Sequence, residues 1–131
     1  MIDSNIEKLA NTTLVKLVIL CVALEGEKTK HKELLLRKLR NFYSDNISDN
    51  RIATQLVLSI SQIDSYGDTF KRYLGQTIVN VGTYSMSDIN RLLKAFSYTK
   101  TKFFDSDTLR NHLEKLMERV KVIWKESSDL D

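Results

Sequence analysis

The chain has 131 residues, of which 42% are hydrophobic and 28% charged, with a net charge of +3. That composition excludes wholesale disorder, speaks against a membrane protein and fits a single domain. Four glycines and no proline argue against a turn-rich all-β fold, and one cysteine, Cys21, excludes an internal disulfide framework or a multi-cysteine metal site.

In chain order, the first element is a helix expected over 12–24. Its apolar run Leu17–Leu24 is far shorter than the roughly 20 residues of a spanning helix. Asp3 and Glu7 precede it and Lys16 interrupts it, which does not fit a secretory signal. No Arg-rich, acid-poor presequence is expected. After a break at Glu25-Gly26-Glu27, a second helix is expected over 30–44. Residues 28–40 carry Lys28, Lys30, Lys32, Arg37, Lys38, Arg40 and His31 against the single acid Glu33.

Ser44-Asp45-Asn46 breaks the chain before a third helix over 49–64, with Ser48 as its cap. Ser65-Tyr66-Gly67 leads to a fourth over 68–81, capped by Asp68. Gly82-Thr83-Tyr84 separates it from a fifth over 87–99. There Ser85-Met86-Ser87-Asp88 has the form of a capping box, in which side chain and backbone satisfy each other's orphan groups. A last break at Phe104-Asp105 precedes a sixth helix over 106–126, capped by Asp105 or Ser106.

The odd-numbered helices share a pattern. Val15, Val18, Ile19, Cys21, Val22 and Ala23 match Ala53, Leu56, Val57, Ser59, Ile60 and Ser61, and then Ile89, Leu92, Leu93, Ala95, Phe96 and Ser97, at offsets of 38 and 36 residues. The apolar positions share one helix face, and the small residues let a neighbour approach closely. The even-numbered helices repeat more loosely through Leu35, Leu39 and Tyr43, then Phe70, Leu74 and Ile78, then Leu109, Leu113 and Met117. One hairpin cannot bury its apolar face alone, whereas three stacked hairpins share a core.

The expectation is therefore an all-α fold: one domain over 1–131, made of three stacked helical hairpins (12–44, 49–81 and 87–126) that repeat about every 37 residues. A plain six-helix bundle is the alternative. Core positions should include Val18, Val22, Leu56, Ile60, Leu92 and Phe96.

The stretch Ile89-Asn90-Arg91-Leu92-Leu93-Lys94-Ala95-Phe96-Ser97-Tyr98, followed by Phe103-Phe104-Asp105-Ser106-Asp107-Thr108-Leu109 and His112-Leu113, resembles one repeat of the FAST-kinase-like, RAP-associated heptatricopeptide and octotricopeptide group. The unit at 52–82 is similar but weaker, and the unit at 14–44 departs further. The resemblance implies an organellar RNA-binding protein that acts in mitochondrial or chloroplast RNA processing, stability or ribosome assembly. No RAP-like domain is expected after Trp124, so no activity residing in such a domain is carried over.

Helical repeats read single-stranded RNA through polar residues at fixed positions of one helix per repeat. The corresponding free positions here are Lys16, Thr54 and Asn90, then Leu17, Gln55 and Arg91, then Leu20, Leu58 and Lys94. Thr, Gln and Asn suit base edges, and Lys and Arg suit phosphates. Arg37, Lys38, Arg40, Lys71, Arg72 and Arg110 on the second helices could track phosphates. The competing reading is that these positions are polar because they face water. Leu17 and Leu20 break the polar scheme and suggest that the first helix packs on something else. Tyr66, Tyr84, Tyr98 and Phe103 could stack on bases or cap the core edge.

His31 and His112 lack partners at metal-ligand spacing. Cys21 reads as an inert thiol. Asp45, Asn46 and Asp49 lack the glycine and closing glutamate of a calcium loop. No nucleophile–base pair or phosphate loop is visible, so no enzyme, cofactor or metal is expected.

Two function classes stay open. One is a non-catalytic RNA-binding protein, mitochondrial by resemblance or otherwise cytoplasmic, with protein partners and no membrane insertion. The other is a protein-interaction scaffold docking through Leu17 and Leu20 or around Val122-Ile123-Trp124. RNA gains if Lys16, Arg91 and Lys94 share a groove with the 28–40 cluster.

Overall fold

The computed structural model describes residues 11–41, 49–64, 67–98 and 105–129. Among them the fold is all-α, with six α-helices: α1 (Asn11–Glu25), α2 (Lys32–Arg40), α3 (Asn50–Ile63), α4 (Asp68–Ile78), α5 (Met86–Tyr98) and α6 (Ser106–Asp129). Short 3-10 turns at Gly26–Lys28 and Val81–Thr83 follow α1 and α4. These turns explain why α2 starts and α4 ends inside the expected spans. The expected end of the second helix and the break at 44–46 lie outside the described residues, as do Tyr43, Ser48, Tyr66, Phe103 and Phe104.

α3 packs against α1 on one side and α5 on the other, so the three form one row. α2 lies against α4, α4 against α3, and α6 against α5 and the 81–83 turn. The core between them takes in Val15, Val18 and Val22 from α1, Leu56, Ile60 and Ile63 from α3, Phe70, Leu74 and Ile78 from α4, and Ile89 and Leu92 from α5. Five of the six expected core residues are buried. The sixth, Phe96, is partly buried and packs edge-on against Phe70, with ring centroids 6.3 Å apart.

Two buried tyrosines join elements that apolar contact alone would leave free to slide. The Tyr73 hydroxyl donates to the Leu39 carbonyl at 2.6 Å and thereby ties α4 to α2. The Tyr84 hydroxyl donates to the Thr77 carbonyl at the end of α4. Burial pushes both phenols well above the usual tyrosine range. Tyr84 thus belongs to the core, not to a base-stacking surface, while Tyr98 is half exposed.

The caps follow the sequence in two places and depart from it in two. Ser85 N–H donates to Asp88 Oδ2 at 2.9 Å and Asp88 N–H donates to Ser85 Oγ at 3.3 Å, which completes the capping box of α5. Asp105 Oδ1 accepts from Thr108 N–H at 2.7 Å at the start of α6, and these bonds hold its carboxyl below the ordinary aspartate range. At α3 the cap is Asp49, which accepts from Arg51 N–H at 2.8 Å. At α4 the expected cap Asp68 is the first helical residue, and Asp64 accepts from Phe70 N–H at 2.9 Å instead. Gly67 makes this possible: at φ 84° the chain doubles back there, a conformation that costs glycine nothing sterically.

Candidate macromolecule-binding surfaces

The expected RNA-reading positions divide into three groups. The first lies inside the α3–α5 contact. Thr54 is fully buried, and its hydroxyl donates to the Asn50 carbonyl at 2.8 Å. The same oxygen accepts from Arg91 Nη1 at 3.2 Å. Arg91 also pairs with Asp88 Oδ1 at 2.7 Å, with the two side chains only 20% and 7% exposed. Thr54, an expected RNA contact, is thus closed off from solvent, and Arg91 is engaged within the fold. Periodicity marked them as off the apolar face, but neighbouring helices of one row touch along their flanks, and there these polar groups satisfy one another. Asn50, one turn before Thr54, strengthens the contact by donating to Thr83 Oγ1 at 3.0 Å.

The second group stays on the surface of the odd-numbered helices. Lys16, Asn90 and Lys94 are exposed and Gln55 is half-buried. Lys16 and Lys94 stand on α1 and α5, with α3 between those helices. The 28–40 cluster runs from the end of the turn after α1, which packs on α1 and α3, through α2. Arg91, the third cation expected with Lys16 and Lys94, is paired with Asp88.

The third group is the basic flank of α2 and α4. Arg37 and Arg40 are exposed one turn apart on α2 and, with Glu33, Leu34 and Leu36, line an open hollow of about 430 Å³. Lys38 is half-buried and Lys71 exposed. Arg72 is partly committed: its Nη1 donates to the Arg40 carbonyl at 2.5 Å, and its guanidinium lies 5.7 Å from the centre of the Tyr73 ring. This ties α4 to the C-terminal end of α2, where orphan carbonyls favour a cation. Arg72 therefore braces α4 against α2. α6, which carries Arg110, balances its charges: five Lys or Arg against five Asp or Glu.

Apolar exposure is concentrated elsewhere. Leu17, Leu20 and Leu24 of α1 are 47%, 56% and 76% exposed and form one stripe. Met86 and Leu93 on α5 are 44% and 45% exposed. Leu113, Met117, Val122 and Trp124 are exposed on α6, while Ile123 packs against the core. Composition alone did not find the α5 patch, because Met86 and Leu93 read as members of an ordinary amphipathic helix.

His112 is half-buried on α6, and burial, then the nearby Lys115 charge, lower its pKa. Cys21 is half-buried and packs against the core. Among the described residues no three His, Cys, Asp or Glu side chains gather to hold a metal ion, and no helix is long and apolar enough to cross a membrane. Comparison with protein-family models, with curated proteins and with solved structures returns no match.

Proposed function

We propose that this chain is a non-catalytic RNA-binding protein built of three hairpin repeats, which holds single-stranded or ribosomal RNA by its phosphates along the α2–α4 flank. The observation that carries the reading is the concentration of charge. The net charge of the whole chain is only +3, yet residues 28–40 hold six Lys or Arg against one acid. Four of those cations stand on α2, which lies against α4, and α4 carries the exposed Lys71. Such a ridge displaces condensed counterions from a phosphate chain and binds without reading sequence.

The likeness of 89–113 to organellar RNA-binding repeats supports the same class and suggests a mitochondrial ribonucleoprotein. Loss of Thr54 and Arg91 from the accessible set favours phosphate tracking over base-by-base reading. Filter binding of single-stranded RNA across a salt series tests the proposal. Affinity should fall steeply with salt, and no binding at low salt removes it. The second reading, a protein-interaction scaffold, is favoured by the exposed leucine stripe of α1.

A further inference from the structure

The row α1–α3–α5 has two ends, and each end exposes large apolar side chains. The α3–α5 contact defines the register. Asn50 and Thr54 point from α3 towards α5, bonding Thr83 and Arg91. With 3.6 residues per turn, Val57 and Ser61 lie on the same side of α3. Shifted by the 36-residue offset, these four positions are Met86, Asn90, Leu93 and Ser97 of α5. They fall on the side of α5 opposite Arg91, and Met86 and Leu93 are exposed there.

The reverse holds at the other end. Arg91 and Ala95 turn from α5 towards α3, and Tyr98 lies on the same flank. At offsets of 36 and 38 residues their counterparts on α1 are Leu17, Cys21 and Leu24. Leu17 and Leu24 are exposed, and the whole α1 set is uncharged.

We propose that copies of this chain stack head to tail. The Met86–Leu93 face of α5 in one copy seats against the Leu17–Leu24 face of α1 in the next, in the register that α3 and α5 use within the chain. This rests on the repeat reading above, but not on the RNA reading. The occupant is a second copy because the two open faces occupy, position for position, the two sides of a contact that the chain already makes internally. Where the internal contact has Arg91, the α1 face has Leu17, so the intermolecular contact buries no unpaired guanidinium. Joining unlike faces makes the contact heterologous, and such a contact extends into rings or filaments instead of closing as a two-fold dimer.

Sedimentation velocity over a concentration series tests this with wild type, Leu17→Asp and Leu93→Asp, each first checked for native helicity by circular dichroism. Wild type should form a ladder of oligomers that lengthens with concentration. Each variant alone should be monomeric. Their equimolar mixture should give a 1:1 dimer, because each supplies the face the other has lost. A wild type that stays monomeric at its solubility limit overturns the proposal. So does a single variant that remains dimeric, since that marks a like-with-like contact. RNA binding by the monomeric Leu93→Asp variant is measured separately, so failure of stacking and failure of the RNA reading are told apart.

Discussion

The hydroxyl of Thr54 on α3 accepts a hydrogen bond from the guanidinium of Arg91 on α5, 3.2 Å away across 37 residues of chain. The same Nη1 also donates to Asp88 Oδ1, while Asp88 Oδ2 closes the capping box with Ser85. A helix start and an ion pair thus share one carboxylate, and the ion pair positions the guanidinium that makes the interhelical bond.

Asp88→Ala should be costly for that reason. It removes the cap and leaves a mostly buried arginine uncompensated, which together should cost about 2–3 kcal/mol. Thr54→Val keeps the shape and loses only hydroxyl bonds, so about 1 kcal/mol is expected. Urea unfolding midpoints at neutral pH check both, and equal costs would contradict the shared role of Asp88.

Tyr73→Phe should destabilise by about 1 kcal/mol, because it removes the hydroxyl bond to the Leu39 carbonyl at the end of α2. Hydrogen exchange should then quicken at the end of α2 more than in α5. Uniform acceleration would mean that the hydroxyl does not tie the two helices locally.

For RNA, Arg37→Ala with Arg40→Ala should lower the slope of log affinity against log salt by about 1.4, as expected for two lost single-strand phosphate contacts. Lys121→Ala with Lys125→Ala on the charge-balanced α6 should leave the slope unchanged. Arg91→Ala should lower stability and leave the slope alone, since its charge is already spent on Asp88.

The half-buried His112 predicts a pH dependence of stability. Its folded pKa lies below the unfolded value of 6.5. As pH falls through 6.5 the unfolded chain takes the proton first, so stability drops, and it levels off once pH passes below the lowered value. Above 6.5 this contribution is fully present. Thermal melts at pH 7.5 and 5.5 should show the loss, and His112→Gln should flatten it.

The capping box was legible because both of its halves lie within three residues. The cap of α4 was not, because its carboxylate at Asp64 and its donor at Phe70 are separated by a glycine turn. The apolar periodicity located Val18, Leu56 and Leu92 for the same local reason. It did not show that Thr54 and Arg91 meet, because helical periodicity separates core from solvent and has no third class for the flank where neighbouring helices of one row touch. Only the partner helix, about 37 residues away, decides whether such a polar residue meets water or a guanidinium.

The short turn at 81–84 is bonded in three directions. Asn50 of α3 reaches Thr83, Arg119 of α6 donates to the Tyr84 carbonyl at 2.9 Å, and the Tyr84 ring is buried with its hydroxyl on the end of α4. A surface connection between helices is ordinarily where a protease cuts first and where an inserted tag does least harm. In this molecule that connection works as a keystone: nicking or lengthening it would loosen three helices at once. A split-protein or permuted version of the chain would have to be opened elsewhere.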